Sequence, residues 1–269
     1  MSRRAVITGV GVVAPNGCEL ETFWSSLVEG RSAAAGITRF DAAELPTQIA
    51  CEVDALPVGR FVDPRKAKRF GRAIQFSLVA AHQAVADAGL DCNRLDAERA
   101  AVVEGASLGG LESSFKAQAA YENKGHRSMS PFTLFNSYAG GGSAEVAIEF
   151  GLRGGALTVG SGSCAGADAI ALARSQIVND EADVVLAGGA EAPLLGPVLG
   201  AFCLAEAVST RNDTPATAMR PFDRQRDGFV LGEGAAYLVI EELGHALQRG
   251  ARIAPNSPAR ESAVRRRIR

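Results

Sequence analysis

The chain has 269 residues, 47% hydrophobic and 22% charged, the composition of an ordered globular protein of one large or two small domains rather than a disordered one. A net charge of −2 leaves no electrostatic footprint for nucleic acid, no apolar run is long enough to cross a bilayer, and the absence of a secretory leader points to the cytoplasm. Five cysteines without Cys-x-x-Cys spacing, and three scattered histidines, argue against a disulfide framework and against a metal site.

In chain order, Ala5–Val13 reads as a buried strand stopped by the turn signal Ala14-Pro15-Asn16-Gly17. Leu20–Glu29 carries Phe23, Trp24, Leu27 and Val28 at helical spacing and ends at Gly30. Residues 31–70 are irregular, rich in Ala, Pro and charge, and are expected to form a surface excursion. An Ala-rich helix is expected over Ala73–Ala88, closed by Gly89. Ala100–Gly105 is a second strand leading into the turn Ser107–Leu111, and residues 112–137 look loop-like in their middle. A helix follows Gly140-Gly141-Gly142 over Ser143–Phe150, then a strand at Leu157–Val159 and a helix at Ala165–Val178. Further strands are expected at Ala182–Gly189 and Ala235–Ile240. Strands alternating with helices imply βαβ units and a largely parallel, buried sheet.

Cys164 stands out because it lies at a tight strand-to-helix turn, Val159-Gly160-Ser161-Gly162-Ser163-Cys164-Ala165-Gly166, where nucleophiles recur. Helix N–H groups at such a point favour negative charge and can hold the oxygen of a tetrahedral intermediate. Cys18, Cys51, Cys92 and Cys203 read instead as small core hydrophobes. Three further motifs have structural readings that compete with functional ones. Gly9-Val10-Gly11-Val12-Val13-Ala14 fits a loose dinucleotide fingerprint, but no helix starts on its glycines, so close sheet packing is preferred. Gly162–Gly166 fits a nucleophile elbow with Cys for Ser, yet a hydrolase triad would need His245, placed on an apparently exposed helix. Gly140–Gly142 could hold an anion but more often lets a helix pack tightly.

Together, several segments resemble the β-ketoacyl–acyl carrier protein synthases, the elongating ketosynthases of fatty-acid and polyketide assembly. These are Ala5–Pro15, Ser107–Gly110, Gly188–Glu191, Ala207–Asn212 and, most specific, the run Arg220–Ala235 with Arg220-Pro221-Phe222-Asp223-Arg224 and Gly232-Glu233-Gly234-Ala235. The resemblance implies a thiolase-like fold, with residues 1–253 as the N-terminal half of a five-layer αβαβα sandwich and the second half missing. Residues 254–269, five Arg against one Glu, are left as a disordered or frameshifted tail. By the same resemblance Cys164 is the nucleophile that takes an acyl group from acyl carrier protein and supplies an oxyanion N–H. Leu108 sets acyl-pocket depth and Phe202 stands at the pocket mouth; Ser163 departs from the Ala or Gly expected before the Cys.

The implied reaction is a ping-pong decarboxylative condensation with malonyl-acyl carrier protein, with no cofactor beyond the phosphopantetheine that the carrier brings. The family's two histidines and lysine for the enolate lie in the half not present, so the chain is expected to be impaired alone. The resemblance also implies a homodimer, or a heterodimer with a ketosynthase-like chain, paired through Leu157-Thr158-Val159. The remaining alternatives are a non-catalytic half that pairs with a complementary chain, and a cysteine α/β-hydrolase.

Overall fold

The structure, a computed structural model, describes residues 3–254. In chain order its elements are β1 (Ala5–Val13), α1 (Leu20–Val28), the two-residue strands β2 (Ala35–Gly36) and β3 (Ile49–Ala50), α2 (Pro64–Ala67), α3 (Arg72–Asp87) and β4 (Ala100–Gly105). There follow α4 (Leu111–Lys124), α5 (Thr133–Ser137), α6 (Gly141–Phe150), β5 (Ala156–Val159), α7 (Ala165–Val178) and β6 (Val184–Glu191). The last are α8 (Gly196–Leu204), α9 (Pro215–Ala218), β7 (Gly234–Glu242) and α10 (Leu243–Gln248). All of the Arg-rich tail beyond Ala254 lies outside the described residues.

Five strands form one sheet in the order β1-β7-β6-β4-β5. β4 is parallel to both β5 and β6, whereas β7 is antiparallel to both β6 and β1. The expectation of a largely parallel sheet is thus met by four strands and corrected at β7. The reason is local. The chain leaves β6 at Glu191 and re-enters opposite it at Gly234, so no crossover carries it back and the strand must run the other way.

The period of two divides the core. Ala100, Val102, Val184, Leu186, Tyr237 and Val239 face α3 and α6, while Ala101, Val103, Val185, Ala187 and Ile240 face α7. A sheet buried on both faces therefore stands between helix layers. Fully buried Phe76 and Leu78 on α3 each contribute about 1.5–3 kcal/mol of burial. α3 lies close against β1 because Gly9 and Gly11 have no side chain: a Cβ at either would overlap the carbonyls of Ala84 and Ala80. The glycines of the dinucleotide-like segment are thus packing glycines.

Two sequence expectations are corrected. The 31–70 excursion is anchored rather than superficial: Thr47, Ile49, Ala50 and Val53 are buried, with Ala50 set among Leu194, Val198, Leu199, Val208 and Leu231. Residues 111–124 form the helix α4, where a loop-like middle was expected. Their Glu, Lys, Gln and Ala are good helix formers, but only Glu112 and Ala117 are buried, so the apolar periodicity is faint. α8 lacks periodicity for the opposite reason, being apolar nearly all round.

Candidate active site

The first turn of α7 is brought onto the sheet by three glycines. Gly105 closes β4, and a Cβ there would overlap the backbone of Ala165. Gly189, near the end of β6, has its Cβ position 3.3 Å from Gly166 Cα and 3.1 Å from the Gly105 carbonyl. Any larger residue at these points would lift the helix away. What remains above the strand ends is an open cleft of ≈ 240 Å³, walled by Gly105–Ser107, Gly162, Ser163, Ala165, Gly166, Gly189–Glu191 and Gly234. Almost every wall residue is small, so a ligand can approach the backbone itself.

Cys164 caps α7 with φ −92° and ψ −2° and makes no side-chain bond to the first turn. It is exposed, whereas Cys18, Cys51, Cys92 and Cys203 are all partly buried. Burial pushes the Cys92 thiol up to about 11 and raises those of Cys18 and Cys51 as well, as expected of thiols serving as packing groups. The wall of the cleft, however, is made by the two neighbours of Cys164, Ser163 and Ala165, and not by Cys164 itself.

Leu108 lies on the turn after β4, 38% exposed. That turn is held by a residue sequence reasoning had quoted without a role: Glu191, at the end of β6, accepts hydrogen bonds from the backbone N–H groups of Ser107, Leu108 (3.0 Å) and Gly109 (3.4 Å). Successive N–H groups converging on one carboxylate form an anion-binding nest, and here it fixes the rim of the cleft. Phe202, half-buried, packs edge-on to Phe229 with ring centres 5.3 Å apart, in the cluster around Leu194 and Leu199, and does not line the cleft. The family-like run Arg220–Ala235 contributes an anchor: Glu233, with its side chain wholly buried, accepts from Arg72 Nε (2.8 Å), Arg72 Nη2 (2.6 Å) and Val53 N (2.9 Å).

Behind the cleft, sharing Ala106 and Ala190 as walls, is a small cavity of ≈ 20 Å³ bordered by Glu104 and Gly142. Glu104 is 2% exposed and accepts a 2.6 Å bond from Ser77 Oγ. Its Oε2 has no partner, and the buried hydroxyl of Tyr237 lies beside it without closing a bond. Burial pushes this carboxyl up to about 7, against the Ser77 bond, which favours the charged form. A Cβ on Gly142 would overlap the carboxylate, so the Gly140–Gly142 run admits Glu104 and packs α6 rather than forming an open anion site. Glu104 has no role in the sequence reading; a lone carboxylate directly after the apolar run Ala100-Ala101-Val102-Val103, within the same strand, is the available signal.

None of the three histidines serves this cleft. His82 stacks on Phe61, lies tilted against Phe150 and is 3.1 Å from Glu149. His126 follows α4, whose fourteen residues carry the chain ~20 Å from the turn at Leu111. His245 is a correction to the sequence reading: it is not on a freely exposed helix but half-buried, its Nδ1 2.7 Å from Glu241 Oε2. β7 starts at the cleft with Gly234 and ends at Glu242, so at ~3.3 Å per residue His245 sits roughly 25 Å away. A hydrolase using His245 as base is incompatible with this placement.

The strand order, the helix layers and the small-residue cleft at the head of α7 together define a thiolase-like ketosynthase framework. The model of the beta-ketoacyl synthase N-terminal domain matches residues 2–246, and the chain belongs to that family. It is 39% identical over 251 residues to 3-oxoacyl-[acyl-carrier-protein] synthase 2 of Coxiella burnetii, covering 93% of this chain and 61% of the relative's length. Among solved structures, the ishigamide ketosynthase/chain length factor superposes with a TM-score of 0.85 at 33% identity, over 94% of this chain and 62% of that one. A type II polyketide ketosynthase in complex with its acyl-carrier protein, AntDE:AntF, superposes with a TM-score of 0.81 at 28% identity, over 94% and 61%. The chain thus spans about three-fifths of the length of these proteins.

Proposed function

We propose that this chain takes part in 3-oxoacyl-acyl carrier protein synthesis by receiving, at the head of α7, the acyl group that an acyl carrier protein delivers. The observation that carries this reading is the cleft itself, walled by small residues and open to solvent beside Ser163 and Cys164, on a ketosynthase framework. The acyl-accepting residue is one of that adjacent pair. Were it the Cys164 thiol, its thiolate would attack the thioester carbonyl, and the carrier's thiol would leave as the acyl-enzyme formed. Condensation then requires malonyl-carrier protein to lose CO₂, leaving an enolate that must be held by hydrogen-bond donors. The described residues bring none of the three histidines to the cleft, so the chain alone is expected to bind acyl carrier protein but not to decarboxylate the malonyl thioester. Titration of the chain with labelled acyl carrier protein, followed by a CO₂-release assay with malonyl-carrier protein, tests both parts. Absence of binding would remove the reading, and CO₂ release by the pure chain would show that its donors lie within it.

A paired arrangement is favoured by one feature. β5 is the outer strand of the sheet and exposes Leu157, and α7 leaves Ile170 and Val178 exposed. Edge strands of this kind invite pairing with another chain, which fits a homodimer or a heterodimer with a ketosynthase-like chain. Light scattering of the purified chain distinguishes these from a monomer.

A further inference from the structure

Residues 162–164 form a single turn of 3-10 helix that runs directly into α7. At three residues per turn, consecutive side chains in such a turn point about 120° apart, so Ser163 and Cys164 cannot both face the cleft. The cleft is walled by Ser163 and not by Cys164. Ser163 shares that wall with Gly105, Ala106, Gly189 and Ala190 at the ends of β4 and β6, among them the small residues that let the helix come close. Cys164, one step on, is exposed outside that wall.

We infer that Ser163, rather than Cys164, occupies the acyl-accepting position of this cleft, and that the chain as it stands seats an acyl group there without bonding to it. This rests on the reading of the cleft as an acyl site. The chemistry follows from the side chain. A serine hydroxyl attacks a thioester only when a base removes its proton, and the cleft wall includes no histidine; its one carboxylate, Glu191, is engaged by the N–H groups of the 107–109 turn. A thiol at the same point needs far less help, because an appreciable fraction ionises near neutral pH. Placing one there gives the cleft a nucleophile where the geometry already directs the acyl carbonyl. The thiolate would attack the carbonyl, the tetrahedral adduct would expel the thiol of the donor, and the protein would keep a thioester.

The test is Ser163→Cys in the full chain, incubated under reducing conditions with hexanoyl-N-acetylcysteamine beside the unaltered chain. The hexanoyl mass increment is mapped to the residue by tandem mass spectrometry, and melting curves confirm that both proteins are folded. The expected result is acylation of Ser163→Cys at position 163, at least tenfold faster than any acylation of the unaltered chain. Hexanoylation of the unaltered chain at Cys164 at a comparable rate would overturn the assignment while upholding the acyl site. If neither folded protein takes the hexanoyl group, and hexanoyl-carrier protein does not bind either, the assignment and the reading of the cleft fall together. Binding of the hexanoyl-carrier protein without acylation of Ser163→Cys would overturn the assignment alone.

Discussion

The two ends of the sheet are built on opposite plans. At the far end Glu241, wholly buried, is fully engaged: Thr8 Oγ1 and Arg249 Nη2 donate to one oxygen, His245 Nδ1 and Arg249 Nε to the other. Nearby, Asp183 is held at about 2, chiefly by its hydrogen bond from Arg99, with Arg3 adding to it. At the cleft end the strand ends and the head of α7 present glycines, alanines, two serines and an exposed thiol, with Glu191 as the single carboxylate. Polar groups whose hydrogen bonds are complete inside the protein hold the fold together; those left open to a cleft are free for a ligand. The position of the only histidine near the end of the chain therefore speaks for structure, since it is committed to Glu241 roughly 25 Å from the cleft.

The largest effect that breaks this contrast is expected at the saturated end. Glu241→Ala leaves Arg249 and His245 without their carboxylate and should cost about 3–5 kcal/mol in urea unfolding; a loss below about 1 kcal/mol would show that the network contributes little. Glu241 also sets an acid limit. Burial alone would raise its pKa, but the bonds from Arg249, Thr8 and His245 bring it below the ordinary range. The stability it contributes is thus present at neutral pH and lost as pH falls through that lowered value.

Glu104, behind the cleft, has the opposite sign. The folded carboxyl keeps its proton up to about 7, against 4.5 for an ordinary glutamate. Below the ordinary value both states are protonated; between the two values only the folded state is, so stability falls as pH rises through that window and levels off above it. Glu104→Gln should remove this slope and stabilise the protein at pH 8 by up to about 3 kcal/mol. Melting curves from pH 4 to 8 that are parallel for both proteins would contradict the account.

Gly105→Ala sharpens the contrast from the cleft side. The added methyl meets the Ala165 backbone, and overpacking of this kind costs about 1–3 kcal/mol. It should also weaken acyl-carrier protein binding by moving the head of α7, and unchanged binding would separate the helix from the site. The smallest effect is expected for Cys164→Ala, within about 0.5 kcal/mol of the unaltered chain because the side chain is exposed.

Much of this was legible in the sequence. Strands β1, β4, β5, β6 and β7 announced themselves as apolar runs, and Gly89 marked the end of α3 with its φ of +57°. The tight turn before α7 was equally plain, because glycines and small residues there have one physical purpose. The finer registration was not. Periodicity places Ser163 and Cys164 at the same turn but does not say which faces the cleft; that depends on where the ends of β4 and β6 lie in space. Likewise, nothing local to Glu191 reveals its partners, which lie 82–84 residues back along the chain. α4 and α8 escaped because one is polar on most faces and the other apolar on most, so neither carries a one-sided pattern.

The most direct measurement of the central claim, that the head of α7 is the acyl site, is hydrogen–deuterium exchange of the full chain with and without an acyl carrier protein bearing a stable acyl-thioester analogue. The account predicts slowed exchange in residues 105–109, 162–167 and 189–191, with the Glu241–Arg249 end unchanged. Protection confined to residues 241–249, or none in the three cleft segments at saturating carrier protein, would contradict it.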